Sequence, residues 1–225
     1  MSVAVGTSGP GTTQQHAVDW LRRAIVAGEL RPGERVPQEE IAARIGISVV
    51  PVREALRVLE GEGQLTYRPR RGYFVTELHA DDLIEIYELR RVLEERAARH
   101  ALARLDDDGV SRIVRAAADC ADVAGAGDVA QTLSANRRFH FALFDAPGQP
   151  HLLKLIRTLW DSTEAYRALY YNTAEERAAA LDAHDRIIDA VQARDADRLV
   201  AELDAHREHA LDALTPILPR RAEDA

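Results

Sequence analysis

The spacing of apolar residues changes twice along the chain, and this change limits the folds open to it. Up to Leu59 the apolar residues recur every three to four positions, which is typical of helices that bury one face. Between Gln64 and Glu77 the spacing becomes two, which indicates strands. After Leu78 helical spacing returns and continues to Leu214. The sequence therefore predicts a mostly α protein, with a small β-hairpin in the first unit and an all-α antiparallel helical bundle behind it.

The first predicted unit contains three helices joined by tight turns. The first helix ends at Gly28, and a short second helix runs from about Gln38 to Ile45. Ser48 follows a Gly46-Ile47 turn and can N-cap the third helix, whose first turn holds Pro51 without losing a hydrogen bond. The residues that helical spacing turns inward are Val18, Leu21, Ile25, Ile41, Ile45, Val52, Ala55, Leu56 and Leu59. This order of elements predicts a helix-turn-helix.

A hairpin follows the third helix and adds a wing to this unit. Strands are predicted at Gln64–Arg68 and Tyr73–Glu77, around a tip formed by Pro69-Arg70-Arg71-Gly72. A helix N-terminus favours phosphate, and guanidinium groups at a wing tip suit a DNA backbone or minor groove. The residues expected to face DNA are Ser48, Val49, Val50, Arg53, Arg57, Arg70, Arg71 and Gly72. On the pattern alone, a small helical domain with solvated arginines is the alternative.

Charge divides the chain in the same place. Up to Thr76 there are 10 Arg and 8 Asp and Glu, a net charge of +2. From Glu77 onward there are 19 Lys and Arg and 29 Asp and Glu, a net charge of −10, which gives −8 overall. A neutral-to-basic first part and an acidic second part predict two domains with different partners.

Several classes of protein are excluded by what the sequence lacks. The single Cys120 excludes a disulfide framework and a multi-thiolate metal site, and it suits a reducing cytoplasm. No apolar run approaches the roughly 20 residues that a membrane span needs. Met1–Gln15 has no basic residue and no apolar segment, so it is not a secretory signal. We therefore expect a cytoplasmic protein without a membrane partner.

We expect four segments along the chain: a disordered arm at 1–15, a winged helix-turn-helix at 16–78, a helical domain at 79–216 and a tail at 217–225. The six helices predicted in the helical domain are approximately Asp81–Arg104, Asp108–Ala124, Asp128–Asp145, His151–Tyr171, Ala174–Ala193 and Ala196–Leu214. Thr173 and Asp195 are the expected N-caps of the last two helices.

Three histidines and one asparagine fall on core-facing stripes of the helical domain. Asn136 and His140 are four residues apart and share one helix face. His184 and His206 each lie 11 residues from Asp195, so an antiparallel helix pair places them side by side. Imidazoles and an amide oxygen that converge suit a divalent transition metal such as zinc or nickel. Hydrogen-bonded core histidines are the alternative.

Other residues of the helical domain are candidates for ligand binding. His209, one turn beyond the last of these histidines, is a reserve metal ligand. Arg90 suits the geometry of a carboxylate effector, although an i,i+4 pair with Glu94 worth a few tenths of a kcal/mol is an equal alternative. Tyr166 and Tyr170 can line the same pocket, and their helical spacing also fits core residues. No inward Asp or Glu stands out as a general base, so we do not expect an enzyme.

The first unit carries several spaced motifs of a known family. They are Pro32-Gly33-Glu34-Arg35, Ile41-Ala42, Gly46-Ile47-Ser48, Pro51-Val52-Arg53-Glu54-Ala55-Leu56, Glu62-Gly63 and Arg71-Gly72-Tyr73-Phe74-Val75. Over about residues 17–77 they resemble the winged-helix domain of GntR-type bacterial transcription regulators. The resemblance implies a homodimer on double-stranded DNA with a palindromic operator, with Arg53 in the groove and Gly72 in the wing.

Two positions depart from this family pattern. Val49 stands where members usually carry an arginine, and Glu39 stands where some members carry a DNA-contacting arginine. The guanine contact of that first arginine is therefore not expected to carry over, since such a contact supplies about 1–3 kcal/mol of discrimination. A contact between Val49 and a thymine methyl group is our hypothesis for this position.

The helical domain also carries motifs of a known family, at Tyr87-Glu88-Leu89-Arg90-Arg91-Val92-Leu93-Glu94, at Asn136-Arg137-Arg138-Phe139-His140, and at His184 and His206. Over about residues 80–214 it resembles the FCD ligand-binding domain of the FadR subfamily, in its six-helix VanR-like form. The resemblance implies an Asp/His3 metal site that binds a small organic acid, in a regulator that is most often a repressor. Asn136 replaces the usual acidic ligand, so a regulator with a vacant metal site is the alternative.

Overall fold

A computed structural model of the protein describes residues 10–145 and 148–220. The chain divides into two compact units between Glu77 and Leu78, one residue before the expected boundary. The mostly α fold, with a small sheet after the N-terminal helix-turn-helix and an all-helical second unit, confirms the predicted fold class. Within the described ranges, no helix is both long and apolar enough to cross a bilayer.

The first unit is a winged helix-turn-helix. Its helices are α1 (Pro10–Val26), α2 (Gln38–Ile45) and α3 (Val49–Gly61), and its strands are β1 (Arg35–Val36), β2 (Leu65–Arg68) and β3 (Gly72–Val75). The strands form one antiparallel sheet in the order β1-β3-β2. Gly46 ends α2 with a φ of 72°, a left-handed conformation that glycine adopts without strain. This turn lets α3 pack its buried side, which includes Leu56 and Leu59, against α1.

Three predictions for the first unit need correction. Helix α1 begins at Pro10, so residues 10–15 of the expected disordered arm are helical, while residues 1–9 lie outside the described part. Strand β1 was not predicted, because two residues are too few to show an alternation of apolar and polar residues. The strand forms by pairing with β3. Ser48 occupies the N-cap position of α3, but its side chain makes no capping hydrogen bond.

The second unit contains seven α-helices among the described residues, one more than predicted. They are α4 (Ala80–Leu102), α5 (Asp107–Ala124), α6 (Val129–Phe144), α7 (Pro150–Ser162), α8 (Glu164–Tyr170), α9 (Ala174–Gln192) and α10 (Ala196–Leu214). The side chains of Thr173 and Asp195 accept hydrogen bonds from backbone N–H groups at the starts of α9 and α10, as predicted. The expected tail is partly ordered, since the carbonyl of Pro219 accepts a hydrogen bond from the N–H of Ala80.

The additional helix arises because the fourth predicted helix breaks at Thr163. This residue is fully buried, and its hydroxyl lies 3.3 and 3.2 Å from the carbonyls of Leu159 and Trp160. The Nη2 of Arg167 also donates to the Trp160 carbonyl, at 2.9 Å. Side chains therefore satisfy the carbonyls at the end of α7, which is how Thr competes with a continuing helix. The break separates α8 from α7 and positions Arg167 in the interior.

Candidate metal and anion site and candidate nucleic-acid interface

Helices α6, α9 and α10 bring three histidines together. His140, His184 and His206 each offer one ligand atom, and these three atoms lie within 4.8 Å of one another. The ring centroids form a nearly equilateral triangle with sides of 5.2–5.3 Å. The meeting of His184 and His206 follows from their equal distance to the turn at Asp195, which the sequence predicted.

Five buried polar atoms of this cluster have no hydrogen-bond partner among the residues that the structure describes. Both ring nitrogens of His140, both of His184 and the Oδ1 of Asn136 are buried without a hydrogen bond. A buried polar group left in this state costs about 1–3 kcal/mol, and native proteins rarely leave several together. The alternative of hydrogen-bonded core histidines therefore lacks the partners that it requires for His140 and His184. Imidazole nitrogens and an amide oxygen are a donor set that fits a transition metal.

The histidines are held in the neutral form that binds metals. Burial lowers the pKa of His184 to about 4. Burial and neighbouring positive charge lower the pKa of His140 and of His206 well below the usual value. At neutral pH a ring nitrogen of each residue therefore keeps a free lone pair, which is the state that a metal ion needs.

A small cavity of about 20 Å³ adjoins the cluster. One part of its wall consists of Asn136, His140 and His206, and the rest is lined by charged and aromatic residues of α4, α7, α8 and α10. The volume is enough for about one water molecule. An organic ligand can therefore enter only if side chains of the wall move apart.

Arg90 lies in this wall and is paired with Glu94, as the alternative interpretation predicted, while its contact with a carboxylate effector stays a prediction. Glu94 is 1% exposed and accepts hydrogen bonds from Arg90 Nε (2.8 Å), Trp160 Nε1 (2.6 Å) and Arg207 Nη1 (2.6 Å). Burial alone would raise the pKa of Glu94, but the two guanidinium groups outweigh it and lower the pKa. The pair is a buried ionic cluster and not the weak surface pair that the i,i+4 spacing indicated, and Nη1 of Arg90 remains without a partner.

Arg167 on α8 is a site residue that the sequence analysis missed. Its side chain is 4% exposed in the same wall, and its Nε and Nη1 have no hydrogen-bond partner. Burial and the charge of Arg90 lower the pKa of Arg167. The guanidinium lies 4.3 Å from the ring centroid of Trp160. The sequence offered one indication of this position, namely its spacing. Arg167 stands four residues after Thr163 and three before Tyr170, which places all three on the inward side of the helix.

Two other predicted residues are placed differently. The hydroxyl of Tyr166 accepts a hydrogen bond from the N–H of Leu78 at 2.6 Å, so this residue secures the chain before α4, whereas Tyr170 lines the cavity as expected. The reserve ligand His209 is exposed, with its Nε2 2.8 Å from Glu176 Oε2. It is not one of the three histidines whose ligand atoms converge.

The first unit presents its predicted DNA-facing residues along α3 and the wing. Val50 is 65% exposed, and the other exposed members of the set are Ser48, Arg53, Arg57, Arg70 and Arg71. Val49 and Gly72 are half-buried. At the wing tip Arg70 and Gly72 have φ values of 63° and 92°, which turn the chain tightly between β2 and β3.

A groove of about 400 Å³ lies beside Arg53 and Arg57. Its remaining walls are Gln38, Tyr67 and Tyr73, which the sequence analysis did not select. Arg53 Nε is 3.4 Å from Gln38 Oε1. The two tyrosines face each other directly in the register of β2 and β3, with ring centroids 5.1 Å apart, and their symmetric positions about the predicted hairpin tip were the signal for them.

Comparisons with known proteins agree with this architecture. The model of the FCD domain matches residues 85–209, and that of bacterial regulatory proteins of the gntR family matches residues 13–75. The Nta operon transcriptional regulator of Aminobacter aminovorans is 31% identical over 86% of this chain and 90% of its own. A probable D-xylose utilization operon transcriptional repressor of Paenarthrobacter nicotinovorans is 31% identical over 82% and 80%. The solved structure of Escherichia coli McbR/YncC has a TM-score of 0.80 at 23% identity, covering 91% of this chain and 98% of that one.

Proposed function

The chain belongs to the GntR family of bacterial regulatory proteins, in the FadR-like group that carries an FCD domain, and from this membership we propose that it is a metal-dependent sensor of a small carboxylate. As a member of this family it is a transcriptional regulator and not an enzyme. The metal, the effector and the control of operator binding are the proposed parts. Because its target is bacterial DNA, we place its activity in the cytoplasm.

The observation that carries the metal proposal is the set of unpartnered donors on α6 and α9, which converge with His206 of α10. His140, His184 and His206 would hold zinc or nickel, and Asn136 would supply a fourth, uncharged ligand. When bound, the metal supplies coordination positions that attract a carboxylate. An uncharged amide binds a cation less strongly than a carboxylate does, so we expect a lower affinity than an acidic residue would give.

The carboxylate proposal rests on the charge of the cavity wall. Arg90 and Arg167 both present guanidinium nitrogens that are buried and unpaired. The cavity is too small for an organic acid as it stands, so binding must select an arrangement in which its wall is wider. An effector with different affinities for two such arrangements changes operator affinity by the same coupling free energy.

We propose that α3 and the wing bind a palindromic operator, with Arg53, Arg57, Arg70 and Arg71 contacting DNA as predicted. Two observations support this proposal. All four arginines are exposed, and they lie in the part of the chain where arginine outnumbers Asp and Glu. A regulator of a palindrome works as a homodimer, since half-sites mirror the symmetry of the protein. We propose that the protein represses transcription, as the name of the Paenarthrobacter relative indicates for that protein.

An exposed face of α4 suits pairing with a second copy of the chain. Leu89 and Val92 on this face are 49% and 68% exposed. Glu88 and Arg96, both exposed, lie four residues before and after Val92. If two copies of α4 pack antiparallel about Val92, Glu88 of each copy meets Arg96 of the other. We call Glu88, Leu89, Val92 and Arg96 the α4 surface and propose it as part of the dimer interface.

Metal analysis combined with thermal unfolding tests the sensor proposal. We expect about one zinc or nickel ion per chain, and a midpoint of unfolding that a small carboxylate raises only while the metal is present. His184→Ala should abolish both effects, whereas His209→Ala, a histidine outside the cluster, should leave both unchanged. Full metal content in His184→Ala would contradict the proposed ligand set.

The regulator with a vacant metal site remains the second candidate, because Asn136 contributes no negative charge to the site. In that case a carboxylate raises the unfolding midpoint equally before and after treatment with a chelator. The same experiment therefore separates the two candidates.

A further inference from the structure

We propose that Arg167 forms a second anion subsite in the cavity, so that the effector carries two acidic groups. This inference rests on the proposed function, in which the first acidic group binds the metal. Arg167 would bind the other group directly through Nε and Nη1.

The first step is the balance of charge in the wall. Three guanidinium groups line the cavity, from Arg90, Arg167 and Arg207. Glu94 hydrogen bonds to Arg90 and Arg207, and Arg207 also pairs with Asp204. Glu164 attracts Arg167 at longer range, but no carboxylate of the described residues hydrogen bonds to Nε or Nη1 of Arg167. Arg167 is therefore the guanidinium of this wall that has no bonded counter-ion.

The second step is the number of hydrogen bonds left unmade. Nε of Arg167 carries one N–H and Nη1 carries two, and none of these three has a partner. A single water molecule fills the available volume and accepts two hydrogen bonds without supplying charge. A carboxylate offers several lone pairs together with a negative charge, and charge-assisted bonds to a buried guanidinium are the strong class.

The third step is the charge at the other end of the cavity. Three imidazoles and the amide of Asn136 are neutral donors, so a divalent ion bound by them keeps its full charge of +2. Together with Arg167 this leaves three positive charges without a bonded anion beside one cavity. A monocarboxylate neutralises one of them, whereas a dicarboxylate neutralises two and can reach both ends.

Isothermal titration of the zinc-loaded full-length protein with matched acids tests this inference. The pairs are malonate with propionate, succinate with butyrate, and glutarate with pentanoate, which differ only by a methyl group in place of a carboxylate. For the pair whose length suits the cavity, we expect the dicarboxylate to bind about tenfold or more tightly than its partner, as one charge-assisted contact implies. Arg167→Gln should bring this ratio close to one while leaving zinc content and monocarboxylate affinity unchanged.

Two further variants complete the test. Arg157→Gln removes a half-exposed arginine of α7 that does not line the cavity, and it should keep the wild-type ratio. Asn136→Asp keeps the fold if Arg167→Gln does not, and its added negative charge at the metal should lower the ratio severalfold. An unchanged ratio in folded Arg167→Gln would overturn the inference, and if that variant does not fold, an unchanged ratio in Asn136→Asp would overturn it.

The outcomes also separate this inference from the proposed function. Equal binding of every matched pair to the wild-type protein would overturn the second subsite and leave the metal-dependent carboxylate sensor intact. Binding of zinc without binding of any acid would overturn the carboxylate sensor, and the subsite with it.

Discussion

Burial changes how much the Arg90–Glu94 pair contributes to stability. The sequence shows only that Arg90 and Glu94 are four residues apart, which on a helix surface is worth a few tenths of a kcal/mol. In the folded protein Glu94 also binds Trp160 and Arg207, which lie 66 and 113 residues further along the chain. A buried carboxylate between two guanidinium groups is costly to remove, at about 3–5 kcal/mol, because it leaves buried charge behind.

The buried histidines predict a pH dependence for the metal-free protein. The pKa of His184 is lowered to about 4, from about 6.5 in the unfolded chain. Between these values the unfolded chain binds more protons than the folded protein, so stability decreases as the pH falls through this range. We expect the metal-free His184→Gln variant to lose about 1 kcal/mol less than the wild type between pH 6.5 and 5.5. Urea unfolding in the presence of a chelator measures this difference.

His209→Gln is the control for that measurement. His209 is exposed and lies against Glu176, outside the cluster. Replacing it should leave unchanged the pH dependence of stability that the three buried histidines contribute. If His184→Gln and the wild type lose the same free energy over this interval, His184 is not buried as a neutral imidazole.

At the scale of elements, the break between α7 and α8 has the largest consequence for the site. Helical spacing from His151 to Tyr171 predicted one continuous helix. The hydroxyl of Thr163 and the guanidinium of Arg167 instead bind the carbonyls at the end of α7. A continuous helix would place Arg167 on a different face, so the second anion subsite that we propose depends on this break.

The α4 surface provides a prediction about one element. Val92→Glu introduces a charge at the centre of the proposed interface, and we expect the dimer to dissociate at least tenfold more readily. Light scattering during size-exclusion chromatography at several protein concentrations measures this. Leu169→Glu, at an exposed position of α8, is the control and should leave assembly unchanged.

A charge exchange tests the proposed pairing within that surface. Glu88→Arg alone should weaken the dimer, because it places like charges opposite each other, and Glu88→Arg combined with Arg96→Glu should restore it. A double variant as weak as the single one would exclude the antiparallel arrangement about Val92.

At the scale of the whole molecule, charge is separated between the two units, and this predicts how salt acts on DNA binding. The first 76 residues carry +2 and the remainder carries −10. Phosphate contacts release counter-ions, so each contributes about 0.9 to the slope of log affinity against log salt. With a duplex obtained by selection from a random pool, Arg70→Ala removes one phosphate contact from each protomer of the proposed dimer, so it should lower this slope by about 1.8. Fluorescence anisotropy across a salt series measures the slope.

Arg112→Ala is the matched control, because this exposed arginine lies on α5 in the second unit. It removes the same charge from the chain and should leave the slope unchanged. Equal effects of the two variants would mean that overall charge, and not the wing, determines the salt dependence.

The sequence by itself determined the fold class, the family and the elements that carry the histidines. Helical spacing assigned α2 to its observed bounds, and the equal distances of His184 and His206 from Asp195 predicted their meeting. These features depend on periodicity and on one turn, so they are encoded locally. The residues of the cavity wall were less predictable, since of Tyr166 and Tyr170 only Tyr170 lines the cavity, and Arg167 was not selected.

Only the tertiary structure decided which charges in the second unit are compensated. Whether Arg90 or Arg167 has a counter-ion depends on side chains from α4, α7, α8 and α10 together, and none of their separations in sequence indicates the result. Spacing along a helix fixes the face on which a side chain lies. Which hydrogen-bond partners that side chain finds is decided by packing between helices that are distant in sequence. This packing leaves Arg167 buried, with Nε and Nη1 lacking a hydrogen-bond partner among the described residues.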